Sequence, residues 1–288
     1  KMQPGPGILI DRVFSGYSYW GLPEGETDNV PGNDDDRPIE GIAGVWASAL
    51  ASAALTKLST RVEEEASLDA AKALWGKAIK KKPERLCLKE QQLADETLHQ
   101  KTGKDLYLKD SSKRIDHLLA AQQDEGWFAS SDGSPYSSIT QLGFPAACMA
   151  DFALNQPEPD PDAVGAVSSY MDFSIRTADN PFELSTLYSA DGSTSFFYRY
   201  PDNDSWYVGQ NSQYLSQSWA GLPGFALTRE KRFRRYAMAQ INWVLGTNPF
   251  GVCMFEGKGS VNPGVYHHRY DSIPGREREP SRDACPTG

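Results

Sequence analysis

The residues of this chain best suited to chemistry stand near its carboxy-terminal end, where His267, His268 and Arg269 are consecutive. An imidazole both donates and accepts hydrogen bonds, and a guanidinium presents a planar fork of donors. Together they are suited to holding paired hydroxyl groups. If the backbone is extended there, His267 and Arg269 share one side and His268 faces the other. Without its context, a His-His-Arg run is a basic surface loop. Carboxyl groups that could act as acid or base follow at Asp271, Glu277, Glu279 and Asp283, and Asp202 and Asp204 precede Trp206. Glu277 and Glu279 alternate with Arg276, Arg278 and Arg282, the pattern of a solvated run whose charges pair locally. Trp127, Tyr136, Trp206 and Tyr207 lie in stretches rich in Gly, Ser and Asp rather than on a helical stripe, which makes them the aromatic candidates for stacking on a ligand. Trp46, Trp75, Trp219 and Trp243 lie within helical patterns and are expected in the core.

These groups need elements to position them. A helix carrying Ile241, Val244 and Leu245 is expected to break at Gly246, since glycine takes the left-handed conformation that ends helices, and Asn248-Pro249 forbids its resumption. Some twenty loop residues then lead to His267. Upstream, Glu40 to Leu58 places Ile42, Val45, Trp46, Ala49, Leu50 and Ala53 at helical spacing, with Ala47, Ala51 and Leu55 on the other side, so this helix is expected to be covered on both faces. Glu63 to Lys82 differs. It carries one apolar stripe (Ala71, Leu74, Trp75, Ala78, Ile79), glutamates in its first turn and lysines in its last, as the helix dipole favours. Further helices are expected over 88–100, 112–122, 139–154, 160–177, 210–227 and 230–245. Eight helices without strand-like alternation give an all-α class, and the pairing of a buried helix with an amphipathic one is what a toroid of helical hairpins demands.

Composition sets outer bounds. The chain has 288 residues, 39% of them hydrophobic, enough for a sizeable core in one large domain or two small ones. A formal charge of −9 disfavours a nucleic-acid partner and suits a neutral ligand. No apolar run is long enough for a membrane helix. Cys87, Cys148, Cys253 and Cys285 are too widely spaced for a CxxC site, and their even number permits two disulfides without implying them. The acidic run Asn33-Asp34-Asp35-Asp36 offers hard oxygen ligands but not the spacing of an EF-hand, so it reads as a solvated loop that leaves room for a structural calcium. Tyr17, Tyr19 and Trp20 cluster nearby, to cover a barrel end or to line a groove.

The order Leu245-Gly246, Asn248-Pro249, Gly251, a Gly-rich loop and His267-His268-Arg269 resembles the carboxy-terminal active-site region of glycoside hydrolase family 9, the inverting cellulases and their relatives. Lys1-Met2-Gln3, the 65–83 helix ending in Pro83, Thr102-Gly103 with Tyr107, Ala178-Asp179-Asn180-Pro181 and Gly209-Gln210-Asn211 are similar to family segments in the same order. The resemblance implies an (α/α)6 toroid in which residues 1–288 form a single catalytic domain, incomplete at both ends. It implies β-1,4-glycan hydrolysis with inversion, with His267, His268 and Arg269 binding the sugar. It also implies an extracellular or periplasmic location and no cofactor. Inversion needs an acid and a base carboxyl, yet the family's DAGDY-type base motif and its later acid glutamate do not occur here, so the catalytic pair is expected outside these residues. Asp132-Gly133-Ser134 stands where the family often has Trp-Gly-Ser, which leaves room for another β-linked glycan, including an amino sugar. Two other readings compete: an inactive carbohydrate-binding or structural toroid, and a lyase or unsaturated-uronide hydrolase, whose acidic substrates suit the negative charge poorly.

Overall fold

In the computed structural model of the protein, the described residues are 8–13, 30, 39–42, 44–80, 89–138, 141–195, 210–255 and 257–262. They carry eight α-helices: α1 Val45–Val62, α2 Glu65–Ala78, α3 Lys89–Thr102, α4 Asp105–Ala121, α5 Phe144–Leu154, α6 Pro161–Thr177, α7 Asn211–Thr228 and α8 Lys231–Val244. The helical class expected from the sequence is what the chain adopts. Two short antiparallel pairings were not anticipated: β1 Ile10–Val13 with β2 Ile39–Ile42, in register Ile10 to Ile42, and β3 Leu187–Tyr188 with β4 Thr194–Ser195. Pairings this short carry too little period-two pattern to read in sequence. Ile42 therefore belongs to a strand, and α1 starts after Gly44 rather than at Glu40.

The chain divides into two compact units, residues 1–81 with 249–288, and residues 82–248. In the first, α1 and α2 pack as a hairpin. The buried side of α1 is its small one: Ser48, Ala49, Ser52, Ala53, Thr56 and Ser59. Small side chains let the backbones approach until Ser52 Oγ donates to the carbonyl of Ala71 at 2.8 Å. The large residues point away. Trp46, Leu50, Leu58 and Val62 are 43–55% exposed, so α1 is covered on one face only and Trp46 is not a core residue.

In the second unit, buried helices alternate with one-sided ones. Residues Pro145–Ala150 and Ala153 of α5 are all buried, and α7 buries Gln213, Tyr214, Ser216, Gln217, Ser218, Ala220, Gly221 and Gly224. These two meet closely, because a Cβ placed on Gly143 would lie 2.2 Å from the Ser216 carbonyl oxygen, and the Gly143 amide donates to Ser216 Oγ at 3.1 Å. The amphipathic helices α6 and α8 add Val167, Tyr170, Met171, Phe233 and Tyr236 to the shared core. Within each hairpin the turn is short: Gly103-Lys104, residues 155–160, and Arg229-Glu230. The segments between hairpins, 122–143 and 178–210, are long.

Candidate functional site

The two long segments fold toward each other through the same local device. Ser130-Ser-Asp132-Gly133-Ser134 and Ser189-Ala-Asp191-Gly192-Ser193 each reverse the chain at a glycine with φ of +82° and +81°. In each, the aspartate Oδ1 accepts from the amide and hydroxyl of the serine two positions on, at 3.0 and 2.7 Å in the first and 2.9 and 2.6 Å in the second. Those hydroxyls and amides hold both carboxyls below their ordinary pKa. The first turn carries Phe128 and Tyr136 on its flanks, with the Tyr136 amide donating to the Phe128 carbonyl at 2.7 Å. The second carries Tyr188. They meet where the Trp127 and Tyr188 ring centroids are 6.1 Å apart and Tyr188 stands edge-on to Phe173 at 5.1 Å.

Beneath this junction lies a cavity of about 20 Å³ lined by Trp127, Tyr136, Tyr170, Tyr188, Gln217 and Tyr236, among others. That is room for roughly one water and far below the several hundred Å³ of a ligand pocket. Tyr170 OH donates to the Leu142 carbonyl at 2.9 Å and accepts from Gln217 Nε2 at 2.8 Å. Gln217 Oε1, Tyr236 OH and Trp127 Nε1 are buried without a hydrogen-bond partner. Burial pushes the phenols of Tyr170 and Tyr236 well above the ordinary tyrosine value, and that of Tyr214 up to about 12, so all three are neutral donors.

The structure brings together two of the residues singled out for stacking. Trp127 is half-buried against Tyr188, and Tyr136 is half-buried against the core. His267, His268, Arg269, Trp206 and Tyr207 lie outside the described residues, as do the carboxyl candidates Asp202, Asp204, Asp271, Glu277, Glu279 and Asp283 and the acidic run at 33–36. The anchor that precedes His267 is in place as expected. Leu245 caps α8, Gly246 takes φ +112°, and Asn248 Nδ2 donates to the Trp243 carbonyl at 2.9 Å. Trp219, expected in the core, is instead 44% exposed, with Phe144 edge-on at 5.5 Å and the Lys89 ammonium 5.6 Å from its ring.

Two features escaped sequence reading. An ionic cluster lies inside the second unit, where Lys89, whose side chain is 3% exposed, pairs with Asp151. Glu96 accepts from Gln92 at 2.8 Å nearby. Burial raises the Glu96 carboxyl above its ordinary value, against the opposing pull of Lys89. Next to it, Arg114 joins Asp95, Asp110 and Gln91. The second feature is a surface depression of about 260 Å³ at the end of α6, lined by Arg176, Asp179, Glu183, Arg232 and Arg235. There Arg232 pairs with Asp172 at 2.7 Å and Arg235 with Glu183 at 3.0 Å. Cys148 is disulfide-bonded and Cys253 is a free thiol, so two intramolecular disulfides do not form. Among the described residues no helix is long and apolar enough to cross a membrane, and no group of three or more His, Cys, Asp or Glu is placed to hold a metal ion.

Comparison with known proteins gives this geometry a context. The sequence profile of Glycosyl hydrolase family 9 matches residues 1–288. Endoglucanase 3 of Oryza sativa subsp. japonica is 32% identical over 92 residues, which is 31% of this chain and 18% of that protein. Among solved structures, the cellulase Cel9M of C. cellulolyticum in complex with cellobiose superposes with a TM-score of 0.62 at 17% identity, covering 93% of this chain and 60% of that one. An unsaturated glucuronyl hydrolase specific for heparin superposes at 0.57 and 13% identity, covering 85% and 62%. At these identities the likeness shows the fold, that of the (α/α)6 toroid enzymes. The chain spans about three-fifths of these two solved structures and under a fifth of the rice endoglucanase.

Proposed function

Because this chain belongs to glycosyl hydrolase family 9, we propose that it is part of a glycoside hydrolase that cleaves a β-1,4-linked glycan, a cellulose-like glucan or a related amino-sugar oligomer, with inversion. The observation that carries the reading is the match of the family along the whole chain together with Leu245-Gly246, Asn248-Pro249, Gly251 and His267-His268-Arg269 in the family's order. His267 and Arg269, with His268 beside them, hold the sugar at the reacting bond, and Trp127, Tyr136, Trp206 and Tyr207 supply apolar faces for neighbouring rings. Inversion takes one carboxylic acid to protonate the leaving oxygen and one carboxylate to activate water across the sugar, roughly 6.5–9.5 Å apart. That pair is supplied from outside residues 1–288. The chemistry uses carboxyl groups and water and calls for no cofactor. A polymeric substrate places the reaction outside the cytoplasm.

Several features support this assignment. Relatives in the comparison are endoglucanases, and one solved neighbour binds cellobiose. The two long segments between helical hairpins of the second unit also carry Trp127, Tyr136 and Tyr188, with the Trp127 and Tyr188 rings 6.1 Å apart. The test is reducing-sugar release from a panel of β-glucans by the full-length protein, with the anomeric form of the first product followed by NMR. The expected product is the α-anomer, and His267→Ala and Arg269→Lys each lower kcat/KM by about a hundredfold or more. Binding without turnover by the full-length protein would instead identify an inactive carbohydrate-binding toroid. A retained β-anomer would refute inversion.

A further inference from the structure

The segment that leads into Tyr188 is tied to three helices. The Ser185 amide donates to Gln240 Oε1 of α8 at 2.9 Å, and Gln213 Nε2 of α7 donates to Ser185 Oγ at 3.0 Å. Thr186 Oγ1 donates to the Thr177 carbonyl at the end of α6 at 3.0 Å, and Leu187, 4% exposed, pairs with Ser195 across the β3–β4 turn. The Tyr188 ring then stands edge-on to Phe173 of α6 at 5.1 Å. Its neighbour Trp127 is held differently. The Trp127 carbonyl accepts from the Gln123 amide at 2.8 Å, and Arg176, whose guanidinium lies 5.6 Å from the Phe173 ring, donates to the Glu125 carbonyl at 3.1 Å. These bonds fix the backbone. The indole nitrogen is buried without a hydrogen-bond partner, and the cavity of about 20 Å³ lies against the ring. Packing alone therefore sets how the indole is turned, and the ring that packs on it from the other long segment is Tyr188, at 6.1 Å between centroids.

We propose that Tyr188 is a positioning residue for Trp127: its ring, carried by the second long segment, selects the rotamer in which the indole of the first presents a face to a sugar. The inference rests on the stacking role given to Trp127 above. The two rings are tilted by 45° at a separation within the range in which aromatic pairs attract beyond the area they bury. Tyr188 also lines the cavity, so removing its ring enlarges the space open to the indole. An indole free to turn into that space must be ordered again each time a glycan binds, at a cost the braced ring does not bear.

The test compares full-length wild-type protein with Tyr188→Ala, Tyr188→Leu, which keeps apolar volume without the ring, and Tyr188→Phe, which keeps the ring. In the first two, KM for the β-glucan is expected to rise about fivefold with kcat changed less than about twofold, and Tyr188→Phe is expected to stay within about twofold of wild type in KM. In a Trp127→Ala background, Tyr188→Ala should add nothing further, because the ring it positions is gone. Losses that add across the two positions overturn the inference, and so does a loss in Tyr188→Phe as large as in Tyr188→Ala. Fluorine NMR of protein labelled with 5-fluorotryptophan supplies a reading independent of turnover, with the resonance of residue 127 identified by its disappearance in Trp127→Phe. That resonance is expected to be single in wild type and in Tyr188→Phe and to broaden or split in Tyr188→Leu and Tyr188→Ala, and an unchanged resonance in those two overturns the inference. Should wild-type protein hydrolyse no β-glucan, the functional assignment fails, and the resonance still decides whether Tyr188 fixes the indole.

Discussion

The ion pair inside the second unit makes an asymmetric prediction. Lys89 is the buried partner, with its side chain 3% exposed, whereas that of Asp151 keeps 22% of its surface in contact with solvent. Removing one member of a buried pair costs roughly 3–5 kcal/mol, because the other is left charged without compensation. Asp151→Asn strands the buried ammonium. The penalty falls at the low end, about 3 kcal/mol, because Glu96 stands within electrostatic reach and loses the repulsion of Asp151, so that it ionises more readily and takes over part of the pairing. Lys89→Met leaves a carboxylate that water can reach and a neighbour, Glu96, that can stay protonated. Its cost is about 1–2 kcal/mol. Combining Asp151→Asn with Glu96→Gln removes both acids from Lys89 and should cost about 5 kcal/mol, more than the two single changes added. Urea unfolding at neutral pH, followed by far-UV circular dichroism and by tryptophan emission, to which Trp219 with its ring 5.6 Å from the ammonium contributes, measures these differences. The reasoning is refuted if Lys89→Met destabilises as much as Asp151→Asn, or if the double change is merely additive.

Three further outcomes follow from the same packing. Gly143→Ala drives a methyl into the Ser216 carbonyl, backbone against backbone, and should cost about 3 kcal/mol or prevent folding of the second unit, measured by soluble yield and thermal midpoint. Tyr170→Phe breaks bonds to the Leu142 carbonyl and to Gln217 and should cost about 1–3 kcal/mol, while Tyr236→Phe removes a buried hydroxyl without a partner and should cost under about 1 kcal/mol. Equal losses in the two by denaturant titration would contradict the hydrogen-bond assignments. Glu96 has a raised pKa in the folded protein, so its contribution is complete below the unfolded carboxyl value and is lost as pH rises through the folded one. Glu96→Gln should therefore match wild type in thermal midpoint near pH 4 and exceed it near pH 8, and the opposite order would show that ionised Glu96 is the stabilising form.

What the sequence disclosed and what it hid divide along a physical line. The helices were legible because each repeats an apolar position every three or four residues, and the end of α8 because Gly246 and Asn248-Pro249 admit few conformations. The side on which α1 meets its neighbour was not. Its large residues, Trp46, Leu50 and Leu58, argue for burial by hydrophobicity, but close backbone approach is decided by the small ones, and α2 packs on Ser48, Ser52 and Ala53. Trp219 misled in the same way. The Lys89–Asp151 pair joins residues 62 positions apart and leaves no periodic trace. That Trp127 and Tyr136 stand outside the helices was legible because they lie among glycines and serines rather than on a helical stripe. His267 and Arg269 were singled out by the spacing of their motif and lie outside the described residues.

Within the second unit the loop bearing Trp127 is firmly held. Gly126, at φ +105°, brings the chain so close to α6 that a Cβ there would be 2.4 Å from the Ser169 carbonyl oxygen. Gln122 Nε2 donates to the Ala166 carbonyl at 2.8 Å, and Arg176 donates to that of Glu125 at 3.1 Å. The loop is thus held against α6 at three points, by a bond to its backbone, a bond from its Arg176 side chain and a close backbone approach, and the indole that follows Gly126 is braced by Tyr188. If Trp127 stacks on a sugar as proposed, a ring immobilised in this way would lose little freedom on binding, and more of the stacking energy would appear as affinity. The same clamps tie the loop to α6, whose buried face packs into the core with α5 and α7. Substitutions that loosen α6 should therefore weaken glycan binding before they unfold the unit, whereas those at the α5–α7 contact act on stability first.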